Sequence, residues 1–239
     1  MSMTIEELEL GFRRIDAATQ CRNLMGKYQL SHLQSRHKEY MDMWADRDDD
    51  ILEMPWGAYY GKAAVVECYT HDHPDRSDPD FIDAACPFHH ASTEVIEVAE
   101  DCMTAKSVWM SQGNESGTVP SDEDKQKMKD FGMDMGDVEE HMARWSWCRY
   151  ATDFIFENGV WKIWRMRLIA TFQNEYYDDI CDEVVENTAT GEGGETEDIE
   201  PWWSYRKTSY FPADRPEPPL PYKTYADVGW GQGKHPFAL

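Results

Sequence analysis

Apolar residues between Ile5 and Leu33 recur at three-, four- and five-residue intervals with occasional slips, at Ile5, Leu8, Phe12, Ile15, Leu24, Tyr28 and Leu33. That spacing predicts amphipathic helices, and Thr4 followed by Glu7 is a capping-box pair that sets the first helix start. Tyr40, Met41 and Trp44 carry the helical pattern to residue 45, where Asp46-Arg-Asp-Asp-Asp50 closes it. Beyond that point the period changes. Ile51 to Gly57 reads as a short strand entering a turn, because proline favours strand ends and edges. Gly61 to Tyr69 reads as one more short helix, and His71 to Pro87, rich in Pro and Asp, as loop. Thr93 to Val98 alternates and is β-branched; Glu100-Asp-Cys102 supplies a turn, and Met103 to Met110 returns as the second arm of a hairpin. A longer hairpin joins Trp145–Phe156 to Val160–Phe172 through Glu157-Asn-Gly159. Asn-Gly between two alternating apolar runs is the strongest short hairpin signal. Residues 112–143 are polar, with Met128, Met133, Met135 and Met142 among charges, and are expected to form an insertion between the hairpins.

Helices followed by an antiparallel sheet of long hairpins is an α+β order. A curved sheet wrapped against helices makes a cone with an apolar mouth, a place for a small molecule. Residues 1–174 are read as this domain. Residues 175–200 hold eleven acidic side chains and no Lys or Arg, and are read as an acidic linker. Residues 201–239 hold seven of the twelve prolines, interleaved with Trp202, Trp203, Tyr205, Tyr210, Phe211, Tyr222, Tyr225 and Trp230. So many aromatics suit an extended tail that wraps its own domain or a neighbouring subunit better than a disordered one.

Charge narrows the partners. The 239 residues carry a formal net charge of −23, which argues against nucleic acid and against an anionic membrane surface. No apolar run approaches membrane-span length, and the first ten residues lack a basic region followed by a continuous apolar run, so no secretory leader is expected there. Six cysteines without a Cys-x-x-Cys pair fit the reducing cytoplasm. No nucleotide-binding glycine pattern and no Gly-x-Ser-x-Gly elbow occurs.

Three stretches carry candidate chemistry. Tyr28 and His32 are four residues apart and share one helical face; they form either a proton relay or a packed phenol beside a solvated imidazole. In Phe88-His-His-Ala-Ser-Thr93, adjacent histidines on a strand point to opposite faces, so at most one enters a cavity. His71-Asp-His73 lacks a recognisable ligand spacing with its neighbours, so no metal is assigned. On the last hairpin, Trp147, Arg149, Ala151 and Asp153 are expected on one strand face, and Trp161, Ile163, Arg165 and Arg167 on one face of its mate. These charges make either an Arg–Asp ladder on a solvated face or a polar patch in which Asp153 orients a catalytic side chain and an Arg binds an oxyanion.

Taken in order, several stretches resemble the SnoaL-like branch of the nuclear transport factor 2-like superfamily. They are Leu24-Met-Gly-Lys-Tyr28, Asp49-Asp-Ile-Leu-Glu53 leading to Gly61, and His89-x-x-x-Thr93-x-x-Ile96-x-Val98, followed by Thr104-Ala105, Arg149-Tyr150 and Asn158-Gly-x-Trp161-x-Ile163. The resemblance implies the cone-shaped α+β fold and a homo-oligomer, dimer or trimer. Bile-acid 7α-dehydratases and scytalone dehydratase are the most useful relatives, and eliminate water with side chains alone, without metal or organic cofactor. The resemblance places a catalytic tyrosine at Tyr28 and a strand histidine at His89. The family aspartate falls at Leu33, a second acidic residue near Gly113 and a late arginine near Ala170, so half of that set is missing. His32, Asp153, Arg165 and Arg167 are candidate replacements, with Arg149 beside them. The expectation is a cofactor-independent lyase or isomerase, dehydratase in type, acting on a hydroxylated polycyclic or aromatic small molecule. The alternative is a non-catalytic small-molecule-binding or interaction module on the same fold.

Overall fold

The computed structural model describes residues 3–33, 37–54, 57–68, 86–118, 141–175, 216 and 218–230. Two helices, α1 (Ile5–Leu33) and α2 (His37–Met43), lead into β1 (Ile51–Met54), β2 (Gly57–Tyr60) and α3 (Lys62–Glu67). Then come β3 (Cys86–His89), β4 (Ser92–Val98), β5 (Thr104–Thr118), β6 (His141–Glu157), β7 (Val160–Glu175) and α4 (Tyr225–Val228). The capping box forms at α1: the Thr4 amide donates to Glu7 and the Glu7 amide to the Thr4 hydroxyl. Asn158 and Gly159 both take positive φ, 52° and 82°, which is the backbone a two-residue hairpin turn requires.

The strands form one curled sheet in the order β2-β1-β7-β6-β5-β3, with β4 also on β5. The whole is an α+β cone in which α1 packs against β3, β4, β5 and β7. One pairing departs from the antiparallel expectation. β1 runs parallel to β7, which a hundred residues of intervening chain allow and a hairpin does not. A second difference concerns the expected insertion. Residues 112–118 continue β5, and 141–143 open β6, because β5 and β6 pair without a break from Thr104↔Ile155 to Thr118↔His141. Polar residues pair as well as apolar ones in a long ribbon, so polarity misplaced the strand end. Residues 119–140, the loop before Cys86, and the acidic linker after Glu175 fall outside the described residues.

The core lies between α1 and the sheet. Ala17, Cys21, Met25 and Tyr28 from α1 meet Trp109, Tyr150, Phe154, Ile163 and Met166. Trp44 joins them and forms a bridge with Ile163. We call this the inner face of the sheet. The outer face is crossed by residues 218–230. The amides of Glu100 and Asp101 donate to the carbonyls of Tyr222 and Lys223, the Tyr222 hydroxyl meets Thr104 at 3.1 Å, and Trp230 donates to Glu53. Among the described residues no helix is long and apolar enough to cross a membrane.

Candidate functional site

Strand alternation decides which candidate residues can meet. β6 pairs with β5 in unbroken register, so Cys148, Tyr150, Thr152 and Phe154 share one face and Arg149, Ala151 and Asp153 the other. Tyr150 meets Tyr28 edge to face, with ring centroids 6.2 Å apart, which makes the first set the inner one. Tyr28 is fully buried. His89 ends β3 opposite Gly113 of β5 and is buried, whereas His90 is exposed; only one of the two histidines turns inward.

Trp109, Ser111 and Gly113 alternate on the inner side of β5. Trp109 lies opposite Tyr150 and Gly113 opposite His89, so the Tyr28 and His89 rows are four strand residues apart, roughly 13 Å along the backbone. Ser111 sits midway, buried, and its hydroxyl has no hydrogen-bond partner among the described residues. Side chains spaced this way suit the two ends of one bound molecule. Ser111 is a residue that sequence reasoning missed. It fell just past the expected strand end at Met110 and before the expected insertion at 112, and the signal that would have found it is the small inward series Ser107, Ser111, Gly113. Gly113 itself has no room for a side chain: a Cβ there would lie 2.1 Å from the Phe88 carbonyl oxygen and 2.7 Å from His89 Nδ1. The place where the resemblance puts a second acid is filled by β3.

Asp153, Arg149, Arg165 and Arg167 do not join Tyr28 and His89. They lie on the outer face. A one-residue bulge at Trp164 is the cause on β7: Phe154 pairs with Ile163 but Asp153 with Arg165, so Ile163 turns inward while Arg165 and Arg167 turn outward. The expected shared face of Trp161, Ile163, Arg165 and Arg167 is therefore split. Lys106 Nζ donates to Asp153 at 2.7 Å, and both side chains are almost wholly buried. The Tyr225 hydroxyl donates to the same carboxylate oxygen at 2.7 Å and accepts from Arg165 at 2.9 Å. Arg165 also holds Asp49 and lies 4.2 Å over the Trp164 ring. Arg167 pairs with Glu53 beneath Trp230. Burial pushes the Asp153 carboxyl up, opposed by Lys106 and Tyr225; burial and that carboxylate push the Tyr225 phenol up. This is a structural clasp beneath the C-terminal segment. The side chain of His32, like that of Leu33, lies outside the described residues. Among the described residues no three His, Cys, Asp or Glu side chains gather as a metal-ligand set.

A family model for the SnoaL-like domain matches residues 13–167. The chain belongs to the SnoaL-like family. Solved structures similar to this SnoaL-like chain include LinA, 10% identical with a TM-score of 0.50, covering 71% of this chain and 96% of that one. A protein provisionally named a scytalone dehydratase, from Novosphingobium aromaticivorans, is 13% identical with a TM-score of 0.49, covering 75% and 95%. A nuclear transport factor 2-like superfamily protein from Salmonella enterica is 11% identical with a TM-score of 0.46, covering 65% and 91%. No curated protein matches the chain.

Proposed function

We propose that the interior of this SnoaL-like cone holds a hydroxylated polycyclic or aromatic small molecule and catalyses its dehydration or isomerisation without a cofactor. The observation that carries the reading is the inner side of the sheet, where the Tyr28–Tyr150 contact, Ser111 and His89 follow one another along β5 while the charged candidates lie on the other face. His89 takes the proton next to a substrate carbonyl, a role suited to an imidazole at neutral pH. The electron pair moves into the carbonyl to form an enolate, whose oxygen receives a hydrogen bond from the Tyr28 phenol. The pair then returns to expel the neighbouring hydroxyl, which leaves as water with the proton that His89 carries. If the proton returns to carbon instead, the outcome is isomerisation. Ser111 has a hydroxyl to offer a substrate oxygen.

The test offers purified protein a panel of β-hydroxy ketones on ring frameworks and reads loss of water by mass spectrometry and α-proton exchange in heavy water. His89→Ala is expected to abolish both signals, and Tyr28→Phe to slow them on the order of 100-fold, as loss of one oxyanion donor does. Full activity in both variants would exclude the assignment. A wild-type protein that binds such ketones but exchanges no proton would favour a binding module instead.

A further inference from the structure

Gln29 follows Tyr28 on α1, and the proposed chemistry gives it no part. Its side chain is 5% exposed, and neither its amide nitrogen nor its carbonyl oxygen has a hydrogen-bond partner among the described residues. The fold gains nothing from this arrangement, because a desolvated amide with both ends unmet costs free energy that a leucine in its place does not. Such a group is retained where something else completes its hydrogen bonds. Two ion pairs fix where the side chain lies. Arg14 reaches Glu97 and Arg22 reaches Glu94, so α1 runs antiparallel to β4, eight helix residues spanning about 12 Å against about 10 Å for three strand residues. Gln29 is two helical turns beyond Arg22 on the same side. Another 10 Å or so along the helix brings it over Ala91, which borders the core and lies two residues after His89. α1 also packs against β3, the strand that His89 ends. One turn of α1 therefore sends Tyr28 to Tyr150 and Gln29 toward His89. On the facing strands Ser111 pairs with Cys148, and the Ser111 hydroxyl is buried and likewise unpartnered among the described residues.

We propose that Gln29 holds the leaving hydroxyl of the substrate, a role that rests on the dehydration reading and adds a residue to it. The match is chemical. A glutamine amide both donates and accepts, and an alcohol does the same in return. A halide or a carboxylate only accepts, and would leave the Gln29 carbonyl unmet, so the residue selects a hydroxyl as the group to be lost. In the proposed reaction that hydroxyl departs at the His89 end, because it takes the proton that His89 carries. Gln29 Oε1 accepts from the hydroxyl hydrogen in the bound substrate. Nε2 donates to the oxygen as the carbon–oxygen bond breaks and its electron pair settles there. The enolate pair closes the carbon–carbon double bond, the His89 proton completes the water, and Gln29 ends unchanged.

The experiment compares the full chain with Gln29→Leu and Gln29→Met, which keep much of the volume and remove the amide. The probes are the ring β-hydroxy ketones already named, 3-hydroxy-1-tetralone among them. Exchange of the α-proton needs His89 and the enolate but not departure of the hydroxyl, so the ratio of exchange to water loss isolates Gln29. Both variants are expected to raise that ratio on the order of 10- to 100-fold, the worth of one hydrogen bond to developing charge. Both are also expected to unfold at a higher urea concentration than wild type, since the unmet amide is gone. A wild-type ratio in both variants overturns the proposal and leaves the dehydration reading standing. A lower urea midpoint in either variant overturns it too, by showing that the fold itself completes the hydrogen bonds of the amide. Wild type that neither exchanges nor loses water overturns the dehydration reading, and this role with it.

Discussion

The buried ion pair on the outer sheet face separates a structural role for Asp153 from the catalytic one its sequence position suggested. Removing one partner of such a pair leaves an uncompensated charge in a place that water does not reach, which costs roughly 3–5 kcal/mol. Asp153→Ala strands the Lys106 ammonium, whose side chain is 2% exposed, and also removes the acceptor of the Tyr225 hydroxyl. It is expected to lose that full amount. Lys106→Met should cost less, roughly 1–2 kcal/mol, because the carboxyl keeps its hydrogen bond from Tyr225 and can take up a proton. Burial already pushes Asp153 in that direction. The double variant Lys106→Met with Asp153→Leu should be more stable than Asp153→Ala alone, since an apolar pair of similar volume strands no charge. Urea unfolding followed by circular dichroism measures all three as midpoint shifts at constant slope, alongside α-proton exchange with the same ketones. An Asp153→Ala variant that unfolds at the wild-type midpoint yet has lost turnover would refute the reasoning and return Asp153 to the chemistry.

Two further outcomes follow from particular atoms. Gly113→Ala must push β3 off β5, because its new Cβ would lie 2.1 Å from the Phe88 carbonyl oxygen; a stability loss of about 1–3 kcal/mol is expected, with a larger drop in turnover as His89 moves, read by urea midpoint and kcat together. Asp50 is fully buried, and burial pushes its carboxyl from 3.8 up to about 7 despite the opposing charge of Lys62 and the Arg47 backbone. Since the folded state holds this proton more tightly than the unfolded one, the stabilisation is complete below about pH 4 and is lost as pH rises through about 7. The difference in stability between Asp50→Asn and wild type should therefore move in favour of the variant by up to about 4 kcal/mol across that window, and a difference that stays flat with pH would contradict the burial argument.

Local rules carried much of this protein. The helix start at Thr4, the turn at Asn158-Gly159 and the inward choice of one residue from His89 and His90 depend on neighbours in the chain, and all three were legible in the sequence. So was the cone, through motifs whose order along the chain survives even where each is weak. The outer face was legible only in part. Asp153 and Arg165 were read as partners in one patch, and they are, but which side of the sheet they occupy depends on a single extra residue at Trp164, and alternation from either end of β7 predicts a different face. The end of β5 was lost for a similar reason: a polar strand that is paired on both sides has no local signature, so Ser111 was left outside the strand and Gly113 was placed in the insertion. What lies under a segment 72 or 177 residues away in the chain is a matter of tertiary structure alone. Tyr225 reaching Asp153 and Trp230 reaching Glu53 gave these two outer carboxylates partners from the C-terminal segment, while Tyr28, Ser111 and His89 stayed on the inner side beside Ser107, Ser146 and Thr152.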